Sequence, residues 1–419
     1  MIRILHFADL HLGVENYGKV DPTTGLSSRV RDFLDRLDEL VSFALAEHVD
    51  VVTFAGDAFR NRHPEPTYQR DFARRIAHLA REGIRVVLVA GNHDLPAMLV
   101  KATSVDIFHA LGVENVYVSA RTEEVLRIPL RRKRELQVAT YPYPNRSRLL
   151  LSEEYRRRPL REQEEFLRAE VARGLSRLVE QLDRERPAVL VAHLAVQGGQ
   201  LGSEQGMTLG GELEALLATV AHPAYDAVLL GHMHRNQVLR SEAPLVLYPG
   251  SLERVDFGDE GIEKGFYLVE IDEKPRPEAA DSGRRPLSHR FVALPARPFV
   301  TLDIDARRGD PQERTLQAIQ EAREAGKMAG AVVRLRLQVR QEDAGRLDFP
   351  ALRRALEEAF FVAAVAVEVE RPERAAFRGS LEQLSPLEAL ERYWISREVP
   401  AKRRETLLRS AQELMDPEG

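Results

Sequence analysis

The sequence predicts a layered α/β fold in which two sheets pack together, followed by a smaller α/β unit and a pair of C-terminal helices. Three observations predict it. From Ile2 to about Asp226, short β-branched runs alternate with amphipathic stretches, a pattern that builds sheets covered by helices. After His234 the texture turns to short strands and Gly/Pro turns, which supply a second sheet to complete a sandwich. From about Phe299 a second, shorter series of strands and helices begins.

Taken in order, Ile2–Leu5, Asp50–Phe54, Arg85–Val89, Ala188–Val191 and Val228–Leu230 are apolar, β-branched and bounded by Gly, Pro or Asp, as buried strands are. Val30, Phe33, Leu34, Leu37, Leu40, Val41, Ala44 and Leu45 recur at i, i+3, i+4 and predict a helix between the first two strands; similar stretches cover 66–82, 96–111 and 160–184. The basic run Arg127 to Arg134 falls in a hairpin. Pro244–Tyr248 and Gly265–Ile271 are later strands, and the proline-rich Glu273–Pro286 is a polar loop. Beyond it come strand Val300–Ile304, helix Glu313–Ala325, strand Val332–Val339, helix Ala351–Phe360 and strand Val362–Val369. Arg371–Ser385 reads as a linker, with helices at 386–396 and 401–415 separated by Pro400. The expected division is 1–285, 286–372 and 373–419.

The balance of 44% hydrophobic and 30% charged residues excludes disorder and collagen-like repetition. No stretch approaches the roughly 18 uncharged apolar residues of a membrane span, so a soluble, cytoplasmic protein with no membrane partner is expected. Zero cysteines remove disulfides, thiolate catalysis and Cys-type zinc, so any metal must be held by His, Asp, Glu or Asn. A net charge of -5 gives no global pull on nucleic acid; DNA binding requires a local basic surface or a partner that supplies one. Arg131-Arg132-Lys133-Arg134 is either such a phosphate-tracking edge or a solvated hairpin tip.

Five polar blocks stand at or just after the C-terminal ends of predicted strands, where open α/β sheets gather their sites. They are Asp9-Leu10-His11, Gly56-Asp57, Gly91-Asn92-His93-Asp94, His193 and Gly231-His232-Met233-His234. Carboxylates, imidazoles and an amide oxygen make a mixed O/N donor set suited to a pair of first-row divalent cations. Residues two apart in extended chain point the same way, so Asp9 with His11 and His232 with His234 are expected to aim into one cleft. His6 on the first strand reads as a support for the site or a satisfied core residue.

In this order the blocks resemble the calcineurin-like metallophosphoesterase superfamily, whose pattern is D-x-H, G-D, G-N-H-D/E, H and G-H-x-H. The segment Tyr248-Pro249-Gly250-Ser251-Leu252-Glu253-Arg254-Val255-Asp256-Phe257-Gly258 and the small α/β unit extend the resemblance, over nearly the whole chain, to the SbcD family, nuclease subunits of SbcCD DNA-repair complexes. The resemblance implies a four-layer α-β-β-α sandwich with a smaller α/β capping domain, which binds DNA, and C-terminal helices. It implies a manganese-dependent 3′ to 5′ exonuclease on double-stranded ends, also an endonuclease on single strands and hairpins. Its partners would be DNA, a second copy of the chain and an SbcC-type coiled-coil ATPase, in the cytoplasm and on the nucleoid.

By the same resemblance Asp9, His11, Asp57 and His234 would hold one ion and Asp57, Asn92, His193 and His232 the other, with Asp57 shared. His93 would face the scissile phosphate, stabilising charge or protonating the leaving oxygen. Asp94 either holds the His93 imidazole or caps the turn. Arg60 stands where several relatives carry a DNA-contacting histidine, with His63 just beyond; both are candidate DNA contacts, and a solvated loop arginine is the other reading of Arg60. The resemblance also places the dimer contact on helices, for which 66–82 and 96–111 are the candidates. The two C-terminal helices, too short to be stable alone, would either grip the base of the partner's coiled coil or dock on their own nuclease domain. Gly56-Asp57-Ala58-Phe59-Arg60-Asn61-Arg62 and Asp94 disfavour a protein phosphatase, the extra unit disfavours a small-nucleotide hydrolase, and the full donor set disfavours a binding module that has lost catalysis.

Overall fold

Central strands that are apolar on both faces must be covered twice, and the chain meets that demand with four layers. The computed structural model of the protein describes residues 1–96, 101–144, 159–202, 213–274, 285–370, 385–397 and 399–415. In β1 (Ile2–Phe7), Ile2 and Ile4 face one way and Leu5 and Phe7 the other. Beside it lie β2 (Val51–Ala55), β3 (Arg85–Val89) and β4 (Val116–Ser119), all parallel. On its other side the sheet continues with β13 (Lys264–Ile271) and β14 (Leu287–Leu294), each antiparallel to its neighbour, in the order β14-β13-β1-β2-β3-β4.

The second six-stranded sheet is built from β5 (Glu124–Pro129), β6 (Glu135–Tyr141), β7 (Ala188–His193), β10 (Ala227–Gly231), β11 (Gln237–Arg240) and β12 (Leu245–Tyr248), in the order β11-β12-β10-β7-β6-β5. The two-residue strands β8 (Ala195–Val196) and β9 (Glu214–Ala215) pair apart from it. Between the sheets Ile4, Val51, Val87 and Val89 of the first meet Val138, Val189, Val191 and Leu229 of the second. Outside the first sheet lie α1 (Ser28–Ala46), started by the Ser27 side chain accepting from the Arg29 amide, and α2 (Pro66–Arg81), started by proline. Their Phe33, Leu37, Leu40, Phe72 and Ile76 are buried against Leu5, Phe54 and Leu88. Outside the second sheet, α4 (Leu160–Glu180) buries Val171, Leu175 and Leu178.

Two expectations need correction. The 96–111 helix reduces, among the described residues, to the five residues of α3 (Asp106–Ala110). Ser104 explains the late start: its hydroxyl and its amide both donate to Asp94, 2.8 and 3.2 Å away, which ties residue 104 back to the loop after β3. The division after residue 285 falls too early, because β14 pairs with β13 over its whole length and closes the first sheet.

After the one-turn α5 (Leu217–Val220) and the strands already named, the smaller unit comprises β15 (Phe299–Asp305), α6 (Pro311–Glu324), β16 (Val332–Arg340), α7 (Phe349–Ala355) and β17 (Phe361–Glu370). Its three strands are parallel in the order β15-β16-β17, so each crossover carries a helix. It has its own core of Ile304, Ile319, Leu335, Leu337, Leu352 and Leu356. A buried polar seam fastens it to the larger body. Arg297 forks onto Asp32 of α1 at 2.6 and 2.5 Å, and its guanidinium lies 3.7 Å from the centroid of the Phe360 ring. Glu253, wholly buried, accepts from the amides of Arg254 and Arg297 and lies 3.8 Å from Arg29. Tyr17 packs among Phe257, Phe299 and Phe361.

The last helices, α8 (Pro386–Ser396) and α9 (Ala401–Met415), form a hairpin in which the Val399 amide donates to the Trp394 carbonyl. A capping box of Ser385 and Glu388 starts α8. Tyr393, Ile395, Leu414 and Met415 are exposed apolar side chains on this pair. The expected linker lies outside the described residues from 371 to 384. No helix among the described residues is long and apolar enough to cross a membrane.

Candidate metal centre

The loops after β1, β2 and β3 of the first sheet and after β7 and β10 of the second open at the same end of the sandwich, and they bring the five polar blocks together. The backbone does so by strained turns. Asp9, His11, Asp57 and His232 have φ of 51°, 46°, 60° and 104°, in the left-handed region that favours glycine. Strand alternation, the expected device, is therefore not how Asp9 and His11 converge: β1 ends at Phe7, and the chain turns back on itself. Backbone bonds hold these turns against the next loop, from Asp9 to Gly56, His11 to Asp57 and Leu12 to Ala58, at 2.9–3.0 Å. Two glycines permit the close approach. A Cβ on Gly56 would lie 2.3 Å from His193 Nδ1, and one on Gly91 would lie 2.2 Å from Asp57 Oδ1.

Within this frame the donor atoms converge. His11 Nε2 is 2.9 Å from His234 Nε2, and Asp57 Oδ2 lies 3.6 Å from both His11 Nε2 and His193 Nε2. His193 Nε2 is 2.9 Å from Asn92 Oδ1, and His232 Nδ1 is 3.1 Å from each of those atoms. The Asp9 carboxylate accepts from the His232 amide at 3.0 Å. Three overlapping groups, Asp9/His11/His234, His11/Asp57/His93 and Asp9/Asp57/His193, each have donor atoms within 4.8 Å of one another.

The chemistry of this set fits cations. His193 Nδ1 donates to the Ala55 carbonyl at 2.7 Å, so in the neutral ring Nε2 carries a lone pair. Burial keeps that ring neutral, holding its pKa well below 6.5, with His232 adding to the effect. A ring lone pair then faces an amide oxygen lone pair at 2.9 Å, an arrangement that a shared cation relieves. Donor atoms about 2.0–2.1 Å from a dication and at right angles around it lie about 2.9 Å apart, the separation seen here. Burial also lowers His11 well below 6.5, helped by His234 and His93, and brings His234 down to about 3. Neutral imidazoles are the form that ligates metals.

His93 is brought beside the donors, its ring centroid 4.9 Å from that of His11. Its Nδ1 donates to the Arg60 carbonyl at 2.9 Å, and burial lowers its pKa. The bond to Asp94 that one of the two readings offered is thus replaced by one to the Arg60 carbonyl. Asp94, fully buried, instead accepts from the amides of Asp57, Ala58 and Gly91 and from the Ser104 hydroxyl at 2.8–3.1 Å. It ties the loop of Asp57 to that of Asn92, and the turn-capping alternative describes it better. Arg60 and His63 line one polar cleft with Gly13, Glu15 and Tyr68, next to His11. His6 is a satisfied core residue, bonded to Thr53 Oγ1 and the Leu230 carbonyl, both at 3.0 Å.

The basic hairpin sits elsewhere. Arg131 and Arg134 donate to the carbonyls of Glu82 and Met1, and Arg134 also to Asp50, groups that precede β3, β1 and β2. It therefore lies at the opposite end of the strands, roughly 17–20 Å from the donors for a six-residue strand. Two residues at the site had escaped the sequence reading. Tyr143 places its ring 5.6 and 5.9 Å from those of His232 and His193, and Lys264 donates to the His234 carbonyl at 2.8 Å. The Tyr-Pro-Tyr-Pro run after β6 was a usable signal for the first; nothing in the sequence marked the second.

The calcineurin-like phosphoesterase family matches residues 2–236, which span every candidate ligand. The chain is 30% identical over 284 residues to SbcD of the nuclease SbcCD from Bacillus subtilis, covering 66% of this chain and 68% of that protein. It is 28% identical over 333 residues to SbcD of the same nuclease from Rhodobacter capsulatus, covering 76% and 75%. The DNA double-strand break repair protein Mre11 of Haloferax volcanii is 26% identical over 328 residues, or 77% of this chain and 58% of that protein.

Proposed function

Because the chain belongs to the calcineurin-like phosphoesterase family, and within it to the SbcD group, we propose that it is a metal-dependent DNA nuclease acting in DNA repair. The observation that carries the proposal is the convergence of Asn92 Oδ1 with the buried rings of His193, at Nε2, and His232, at Nδ1, beside Asp57, a donor set that calls for cations. Asp9, His11, Asp57 and His234 would hold one ion, and Asp57, Asn92, His193 and His232 the second. Bound divalent ions, Mn²⁺ in our reading, would supply Lewis acidity to a phosphodiester and to the attacking water. A shared Asp57 carboxylate would offset the repulsion between the two cations.

His93 acts on the substrate. With Nδ1 committed to the Arg60 carbonyl, Nε2 is the atom left to meet a phosphate or a leaving oxygen. The neutral ring offers Nε2 only as an acceptor, so donation requires the imidazolium, which an arriving phosphate favours against the lowering effect of burial. Asp94 keeps the loops of Asp57 and His93 in register, so its part in catalysis is to position them. Arg60 and His63, in the cleft next to His11, are the proposed contacts to the DNA backbone.

The activity we infer is 3′ to 5′ exonucleolytic on duplex ends and endonucleolytic on single strands and hairpins, in the cytoplasm at the nucleoid. The exposed apolar side chains of α8 and α9 support docking on the coiled coil of an SbcC-type ATPase, and a homodimer contact is proposed on the stretches 66–82 and 96–111, where α2 and α3 supply the helical surface. One assay tests the core of this reading: purified protein with Mn²⁺ on end-labelled duplex DNA, on a phosphopeptide and on a generic phosphodiester. Metal-dependent shortening of the duplex from its 3′ ends is expected. Turnover of the phosphopeptide alone would make the protein a phosphatase, and no turnover of any substrate would leave the nuclease reading without support.

A further inference from the structure

The ring of His234 is aimed by something other than its own loop. Its carbonyl accepts from Lys264 Nζ at 2.8 Å and from the Ser251 amide at 3.3 Å. Lys264, at the start of β13, has no exposed side-chain surface. Its other two donors go to Ser251 Oγ at 2.8 Å and Asp259 Oδ1 at 3.0 Å, so an ammonium with three hydrogens has three oxygen partners. Asp259 is fixed in turn by the Val255 amide at 2.9 Å. A buried ion pair is weak evidence for stability, because desolvation offsets its attraction. What distinguishes this one is that the cation's third partner is the backbone of a candidate metal ligand.

A third element crowds the carbonyl. Gly250 has φ of 74°, and a Cβ there would lie 2.6 Å from the His234 oxygen. The Gly250–Asp259 segment thus wraps the carbonyl, with Lys264 as the strut between them. An unpaired ammonium this close would repel a dication in the Asp9/His11/His234 group. Asp259, 3.0 Å from the ammonium, offsets that charge. Resting on the reading of Asp9, His11 and His234 as ligands, we infer that Lys264, neutralised by Asp259, is the positioning residue that fixes His234 for ion binding.

The test uses the full chain carrying Lys264→Met with Asp259→Asn, a substitution that removes strut and counter-charge together. Calorimetric titration with Mn²⁺ gives the affinities, and anomalous diffraction from Mn²⁺-soaked crystals assigns each to a position. The wild type should take up two ions. In the double variant the ion at Asp9/His11/His234 should bind about 10- to 100-fold more weakly, the range for losing a group that orients a ligand, while the other ion stays within about 3-fold. Unchanged affinity at both positions, or equal loss at both in a protein that still melts cooperatively, overturns the inference. Wild-type protein that takes up no ions would defeat the ligand reading itself, and this inference with it. Should the double variant not fold, Ser251→Ala removes one support of Lys264 with little change in volume; it should weaken the same ion several-fold, and an unchanged affinity there overturns the inference equally.

Discussion

Lowering the pH from 7 to 5 should weaken the fold through His6, a residue that takes no part in the metal centre. Its Nε2 donates to the Leu230 carbonyl of the second sheet, so in the neutral ring Nδ1 accepts from the Thr53 hydroxyl of the first. Protonation would put a hydrogen on Nδ1 and turn the Thr53 hydroxyl toward the Leu5 carbonyl, 3.4 Å away. It would also place a charge between the sheets, and burial accordingly lowers the pKa from 6.5 to about 4. In that window the unfolded chain binds the proton and the folded chain does not, so stability falls as pH falls from the unfolded toward the folded value. For a site moving from 6.5 to about 4, linkage gives a loss of about 2 kcal/mol between pH 7 and pH 5. Other buried histidines contribute in the same direction without metal, so the informative quantity is the difference between wild type and His6→Gln, which cannot titrate. Urea unfolding in chelator, followed by circular dichroism at pH 7, 6 and 5, measures it; Trp394, the only tryptophan, lies in the C-terminal hairpin and reports another part of the molecule. If the variant loses as much stability over this range as the wild type, His6 is not held neutral by the fold and the reasoning fails.

Asp57→Ala should abolish both Mn²⁺ binding events in calorimetry, since the lost carboxylate is the shared ligand; full occupancy by two ions would contradict the assignment. His93→Ala should keep both ions and DNA binding while lowering kcat about 100-fold or more, the scale of a lost proton donor or charge-stabilising group, and a variant with normal cleavage sinks that role. Deleting residues from Leu381 onward should leave Mn²⁺-dependent cleavage of short substrates intact and abolish co-purification with the ATPase. Undiminished capture of the ATPase would place its docking site elsewhere.

Much of the site was legible because its chemistry is carried by residue type and by position relative to strands. Asp9, His11, Asp57, Asn92, His193, His232 and His234 follow apolar β-branched runs, and the strand ends place them at one end of the sandwich. What periodicity does not encode is backbone conformation. A polar block after a strand reads the same whether it is extended or left-handed, so the turns at Asp9 and His11 appear only in the fold. Asp94 was ambiguous for a similar reason: a carboxylate next to a histidine is near it in any conformation, and the amides of Asp57 and Ala58 come from a loop 37 and 36 residues away. Among the described residues of 96–111 the helix is cut to α3, because Ser104 is drawn to Asp94 by bonds that periodicity does not encode. Lys264 and Asp259 gave no signal, because a buried pair in sequence looks like any two surface charges.

The seam through Arg297, Asp32 and Glu253 makes the setting of the small unit a matter of populations. Swinging that unit away would strip Asp32 and Glu253 of Arg297 while both carboxylates remain largely buried. Arg29 would still pair with Asp32 at 2.7 Å, so what is lost is charge-assisted hydrogen bonding at each carboxylate, about 1.5–3 kcal/mol apiece, or about 3–6 kcal/mol together. At a factor of ten per 1.4 kcal/mol, displaced orientations are then occupied by roughly one molecule in a hundred or fewer. A partner or DNA end that engages only a displaced orientation would have its apparent affinity reduced by that same fraction, about two to four decades. One that engages the orientation described here meets a surface already set for it.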